Sequence, residues 1–89
     1  MRILTVLRIM RMEYRYDTLR QHSPAQIRTT PRLGRMFRAL TAYCDGGQWL
    51  KDYVLDEQGA LPRWLKRGVL SQDGLYNLLC DLNDTENNP

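Results

Sequence analysis

The sequence predicts a mainly α-helical protein, with four or five short helices in one small domain. A chain of 89 residues, 43% of them hydrophobic, can build one modest core. Apolar residues recur at helical spacing along most of the chain, and proline, serine and glycine mark helix starts and ends. We expect this domain to span residues 1–82. The polar tail, residues 83–89, has no apolar side chain and is predicted to be disordered.

The first 20 residues are predicted to form an arm or a β-strand beside the helices. From Met10 to Asp17, apolar or aromatic side chains alternate with charged ones, which is the period of a half-buried strand. The preceding stretch, Ile3 to Met10, has helical spacing instead. We favour a strand or extended arm at about 9–17. Because an isolated strand needs a partner, a second copy of the chain is a candidate, and this segment would then hold a homodimer together.

Two proline-led helices are predicted next. The stretch Ser23-Pro24-Ala25-Gln26 has the pattern of a capping box, with proline at the first helical position. Pro31 ends any continuing helix and starts the next one, which we expect to run from Pro31 to Cys44 and to end at Gly46-Gly47. One face of this second helix is apolar. That face consists of Leu33, Met36, Phe37, Leu40, Tyr43 and Cys44.

Two later stretches nearly repeat at an offset of 15 residues, QWLKDYVLDEQG from Gln48 and RWLKRGVLSQDG from Arg63. The first predicts a helix over 48–56, and the second a helix from Pro62 to Gly68. Joined by the turn 57–61, they would form a helix-turn-helix-like arrangement. Established repeat families have units of about 20 residues or more. We therefore interpret the match as two short helices with the same Trp-Leu anchor, and a duplication as the less favoured alternative.

The last predicted helix begins after Ser71, which can cap it. Its buried stripe supplies the final part of the expected core. The full predicted core is Leu33, Met36, Phe37, Leu40, Trp49, Leu50, Trp64, Leu65, Leu75, Leu78, Leu79 and Leu82.

The sequence offers little for catalysis. His22 is the single histidine and lies in a polar turn, where such a residue is more often solvated than catalytic. Glycine-rich phosphate loops, paired-carboxylate sites and nucleophile motifs are absent from the sequence. Cys44 and Cys80 have no metal-binding spacing, and each lies beside a helical apolar stripe. We expect no enzyme activity, no cofactor and no metal site.

No apolar run approaches the roughly 18 residues that cross a membrane. The apolar stretch near the N-terminus is interrupted by Arg8 and Arg11, and it lacks the length and cleavage site of a signal peptide. We therefore expect a cytoplasmic protein without membrane contact.

Positive charge is concentrated in the first half of the chain. Residues 1–45 carry nine Arg and three carboxylates, a net charge of +6, whereas residues 46–89 have a net charge of −3. This asymmetry indicates an anionic partner. In the helix predicted from Pro31, three arginines lie opposite the apolar face, and Arg28 extends their row. A second basic group lies on the helix predicted from Pro62.

These groups predict a small basic regulatory protein that binds DNA mainly through phosphate contacts, as a helix-turn-helix-like transcriptional regulator. The candidate nucleic-acid-binding residues are Arg28, Arg32, Arg35, Arg38, Arg63, Lys66 and Arg67. Asn and Gln are absent from the second group, so phosphate contact is better supported than base reading. The plain alternative for the arginine row is a solvated helix face. The alternative function is a protein-binding inhibitor or adaptor that docks on a larger complex, such as one that handles nucleic acid.

Overall fold

The structure, a computed structural model, describes residues 2–87, and within this range it contains five α-helices and no strand. The helices are α1 (Ile3–Arg20), α2 (Pro24–Thr29), α3 (Pro31–Asp45), α4 (Gln48–Glu57) and α5 (Gln72–Asn87), with a 3₁₀ turn at Gly68–Leu70. Helix α1 packs on α3 and on the 3₁₀ turn, α2 packs on α3 and α5, and α4 packs on α3. The predicted mainly α-helical fold is confirmed.

The predicted helix starts and ends of the central region are confirmed. The Ser23 hydroxyl accepts a hydrogen bond from the Gln26 amide at 3.2 Å, and the Ser23 amide donates to the Gln26 side chain at 2.9 Å, which completes the capping box. Pro31 is the first residue of α3. Gly47 has φ 84°, a left-handed conformation that favours glycine, and it separates α3 from α4.

The predicted N-terminal strand is wrong, because residues 3–20 form the longest helix of the described chain. Its buried residues are Val6, Ile9, Tyr16 and Leu19, which follow helical spacing. A helix satisfies its backbone hydrogen bonds internally, whereas a strand at this position would have no partner strand in the described chain. The alternation between Met10 and Asp17 therefore reflects a helix with apolar side chains on more than one face.

The helix predicted from Pro62 is also wrong, so the helix-turn-helix-like arrangement expected over residues 48–68 does not form. The segment is a loop followed by the 3₁₀ turn. The Arg67 guanidinium donates to the carbonyl of Pro62 at 2.7 Å and to that of Leu65 at 3.4 Å. The Val69 amide donates to the Glu13 carboxylate of α1 at 2.7 Å. Side chains thus form hydrogen bonds with backbone groups that a helix would pair internally. The two near-repeats therefore adopt different structures.

The core joins the predicted helices to α1, which sequence reasoning left out. The buried apolar side chains are Val6, Ile9, Tyr16, Leu19, Ile27, Leu33, Met36, Leu40, Tyr43, Leu61, Leu65, Val69, Leu70, Leu75 and Leu82. Of the other predicted core residues, Phe37, Trp49, Leu78 and Leu79 are half-buried against this core. The prediction fails for Leu50 and Trp64, which are 57% and 63% exposed.

Helix α5 extends beyond the domain end expected at residue 82. The polar tail, predicted to be disordered from residue 83, is helical as far as Asn87. Residues 88–89 of that tail lie outside the described residues.

The start of α5 lies close against α1, and this contact makes a testable prediction about Gly74. A Cβ atom at Gly74 would overlap the hydroxyl of the buried Tyr16, while it would lie 3.5 Å from the Tyr16 Cζ. We expect Gly74→Ala to destabilise the protein by about 1 kcal/mol, because overpacking of about 1–3 kcal/mol outweighs the helix propensity gained. In a Tyr16→Phe background the overlap is gone, so the same substitution should become neutral or stabilising. Urea unfolding of the four proteins measures this reversal of sign, and destabilisation in both backgrounds would contradict it.

Candidate functional site

Helix α1 has an exposed apolar stripe on the side away from the core. Ile3, Leu7, Met10 and Tyr14 are 62%, 42%, 46% and 56% exposed. Their spacing of four, three and four residues places them on one helix face over about three turns. We name these four residues the apolar ridge. The ridge is a feature of the surface, because the residues that anchor α1 in the core lie on its other side.

A groove runs along the ridge between α1 and α3, with a volume of about 670 Å³. Its apolar part is built from ridge residues together with Met36 and Ala39 of α3. Four arginines line it, two from each helix, and its lining contains no carboxylate. These arginines are Arg11, Arg15, Arg32 and Arg35. We name this cleft the arginine groove.

Among the described residues, none of the four arginines forms a salt bridge with a carboxylate. Arg32 donates a hydrogen bond from Nη2 to the Tyr14 hydroxyl at 2.8 Å, which orients the tyrosine at the groove edge. The Arg15 Nη1 lies 4.0 Å from the Met12 sulfur, a weak contact. Guanidinium groups without a paired carboxylate create a positive potential along the groove, which attracts anions.

The loop after α4 places Trp64 next to the ridge. Trp64 shares a second, smaller cleft of about 340 Å³ with Met10 and Tyr14, so apolar side chains continue from α1 to the loop. Three charged residues, Glu13, Asp17 and Lys66, also line this cleft. Arg67 braces this loop through an ion pair with Asp56 and through its bonds to the loop carbonyls. Burial of Leu61 and Leu65 fixes the loop from inside. Trp64 is therefore an exposed aromatic side chain on a restrained loop.

The predicted nucleic-acid-binding residues do not form one stripe. Arg32 and Arg35 line the arginine groove, whereas Arg28 and Arg38 line a different cleft beside Leu82. Arg63 and Lys66 are exposed on either side of Trp64 and Leu65. Arg67 was expected to face solvent, but it is half-buried and its guanidinium holds the loop to α4. Phosphate binding by these residues stays a prediction.

Sequence reasoning missed two features of the site. The first is the pair Arg11 and Arg15, which was assigned to a strand and so was not placed beside α3. The second is the ridge. The helical spacing from Ile3 to Met10 was the available signal, and its continuation to Tyr14 would have revealed an apolar face too wide for the core alone.

A buried polar network fixes α1 relative to α3 and α4. Asp52 is fully buried and accepts two hydrogen bonds from Arg8, at 3.0 and 2.7 Å, and one from the Tyr43 hydroxyl at 2.6 Å. Burial, together with the hydrogen bond to Asp52, raises the pKa of Tyr43, and the hydrogen bonds to Asp52 raise the pKa of Arg8. Both donors therefore hold their protons, and the network has a structural role.

The described residues contain no group of three or more His, Cys, Asp or Glu side chains that could hold a metal ion. Burial raises the pKa of the Cys44 thiol, which disfavours the reactive thiolate. None of the helices within residues 2–87 is long and apolar enough to span a membrane.

Comparison with known proteins identifies a family. The model of a family described as Domain of unknown function (DUF4298) matches residues 9–87, so the chain belongs to this family. The match includes most of α1 and all of α2 to α5. No curated protein and no solved structure matches the chain.

Proposed function

We propose that this protein is a small adaptor that docks on a partner protein through the apolar ridge and Trp64. The observation that carries the proposal is the ridge, a row of large apolar side chains that α1 leaves in water. Each Å² of such surface gains about 25 cal/mol when it is buried. Contiguous exposed apolar patches with polar rims mark interaction sites on soluble proteins, whereas singly scattered apolar residues do not.

The side-chain types also fit the centre of a protein interface. Trp, Tyr, Met and Arg are enriched at such centres, and Lys and Glu are depleted. Met10 can adapt its shape to a partner, while Trp64 offers a rigid anchor of the kind that dominates binding energy. We place this function in the cytoplasm, where the free thiols of Cys44 and Cys80 would stay reduced.

DNA binding through phosphate contacts, as part of transcription regulation, is the second candidate. The observation that favours it is the arginine groove, because guanidinium groups bind phosphate as readily as carboxylate. Two observations rank it lower. The segment from Pro62, predicted as the second helix of a helix-turn-helix-like arrangement, is a loop. Phosphate contacts would also leave the aliphatic side chains of the ridge exposed.

We expect the double variant Leu7→Asp/Met10→Asp to lose its partner protein, because it places a charge on two side chains that the complex would bury. The measurement is affinity capture from a nuclease-treated extract of the native cells, followed by binding of the purified partner. Affinity should fall by at least about tenfold, which corresponds to about 1.4 kcal/mol. Leu50→Asp is the control, since Leu50 is an exposed leucine outside the ridge. It should bind as the unchanged protein does.

Two results would decide against the adaptor function. Equal capture by the double variant and the unchanged protein would remove the ridge from partner binding. The second candidate would be supported instead if the protein binds duplex DNA in a mobility-shift assay and its affinity falls steeply with salt. Arg32→Gln or Arg35→Gln should then weaken binding equally for every DNA sequence.

A further inference from the structure

We propose that the arginine groove binds an acidic amphipathic helix of the partner protein. This inference rests on the proposed function and specifies the chemistry of the partner's docking segment. It follows from the shape of the groove, from the spacing of the ridge and from the charge of the groove rim.

The groove has the form that a third helix can fill. Two helices build its walls, and the small side chain of Ala39 lines it together with Met36. Packed helix axes lie about 8–10 Å apart, a distance at which side chains of one helix enter the gaps of its neighbours. Peptide helices are recognised in this manner in apolar grooves, through anchors at helical spacing.

The ridge has the residue spacing of a helix-packing seam. Steps of four, three and four residues from Ile3 to Tyr14 are the spacing of core positions in a coiled coil. Such a seam pairs with another helix whose apolar residues repeat in the same way. At about 1.5 Å per residue, the ridge matches a partner helix of about three turns.

The charge of the groove rim determines which charged residues can flank the apolar stripe of the partner helix. Arg11 and Arg15 lie on one wall and Arg32 and Arg35 on the other, with no carboxylate in the lining. A helix in the groove would bring the residues beside its apolar stripe close to both walls. Glu or Asp at these flanking positions would form ion pairs, whereas Lys or Arg would meet like charges. The partner helix is therefore acidic on both sides of its apolar stripe.

The same charges argue against other occupants. In a two-fold homodimer the same patch faces itself, so the four arginines of one copy would approach the four of its partner. Single-stranded nucleic acid binds on aromatic platforms. The groove is instead lined by leucine, methionine, alanine and arginine side chains, and its one aromatic residue, Tyr14, has its hydroxyl held by Arg32.

The test uses designed peptides of about three heptads, longer than the three turns that would contact the ridge because shorter helices are unstable in water, and labelled for fluorescence anisotropy. The first has leucine at the seam positions and glutamate at the flanking positions. The second has lysine in place of every glutamate, and the third has the composition of the first in a scrambled order without an amphipathic face. We expect the full-length protein to bind the first peptide at least about tenfold more tightly than either of the others.

Charge reversal then locates the site. Arg11→Glu/Arg35→Glu should lower affinity for the glutamate peptide by at least about tenfold and raise affinity for the lysine peptide. Arg38→Glu is the matched control, because Arg38 is an exposed arginine of α3 that lines the other cleft. It should change both affinities by less than about twofold. Circular dichroism of each variant checks that the helices persist.

Several outcomes would overturn the inference. They are equal binding of the scrambled peptide, no binding of the glutamate peptide, and an equal loss in the Arg38→Glu control. Binding of single-stranded DNA or of phosphatidylserine vesicles in preference to the peptide would assign the groove to another ligand. A dimer that Leu7→Asp dissociates would assign it to a second copy. A captured partner could require the ridge for binding and yet cross-link to Arg11 through a segment that is not an acidic helix. In that case the inference fails while the adaptor function stands.

Discussion

Replacement of Arg8 by methionine is expected to lower the free energy of unfolding by about 3–5 kcal/mol. Arg8 supplies two of the three hydrogen bonds to the fully buried Asp52. Methionine keeps much of the packing volume but supplies no donor, so the Asp52 carboxylate would retain only the Tyr43 hydroxyl. The large cost arises because a buried charge is left without its counter-ion, and urea unfolding at neutral pH measures it.

Two further variants separate this cause from a general effect of losing an arginine. Arg20→Met removes the exposed ion pair with Asp17 and the contact of the guanidinium with the Tyr16 ring, and it should destabilise the protein far less than Arg8→Met does. The triple variant Arg8→Met/Asp52→Leu/Tyr43→Phe removes the buried carboxylate and both of its hydrogen-bond donors, and it should recover most of the stability lost in Arg8→Met. Equal losses in the two single variants, or a triple variant as unstable as Arg8→Met, would contradict the explanation.

Local sequence signals predicted the central helices because those signals are complete within a few residues. The Ser23 capping box, the position of Pro31 and the glycine pair after α3 fix helix boundaries through contacts and backbone preferences within a few residues. No distant residue is needed to interpret them. The apolar face of α3 was predicted for the same reason, and Leu33, Met36 and Leu40 are buried.

Long-range contacts explain why the sequence-based predictions for α1 and for the segment from Pro62 are wrong. The loop from Pro62 depends on Arg67, which bonds loop carbonyls and Asp56, and on Glu13, which accepts the Val69 amide from 56 residues away. Nothing in the local letters RWLKRG indicates these partners. Helix α1 has apolar residues on two faces, one in the core and one exposed. Together these residues alternate with charged ones along the sequence, a pattern that resembles a strand.

The candidate site was predictable only in part. The arginines of α3 were identified as a charged face, and Arg32 and Arg35 do line the arginine groove. The other wall of the groove belongs to α1, so it could be recognised only once residues 3–20 were known to be helical. Pairing of α1 with α3 is a tertiary contact, and the spacing within either helix does not specify it.

Trp49→Ala is expected to cost about 3 kcal/mol or more in unfolding free energy. Trp49 packs against the core, stacks on Tyr53 with ring centroids 5.1 Å apart, and donates from Nε1 to the Val69 carbonyl at 2.9 Å. Because Val69 is fully buried, its carbonyl would lose its partner as well. Trp49→Phe keeps a ring but not the donor, so it should cost about 1–2 kcal/mol.

The matched change in the other near-repeat should behave in the opposite way. Trp64 is 63% exposed, so Trp64→Ala should change the unfolding free energy by less than about 1 kcal/mol. If Trp64 anchors a partner beside the apolar ridge, the same variant should weaken partner binding at least about tenfold, as loss of an aromatic anchor does. Trp49 and Trp64 would then separate stability from binding. A Trp64→Ala protein that unfolds as readily as Trp49→Ala, or that binds the partner unchanged, would remove Trp64 from the docking surface.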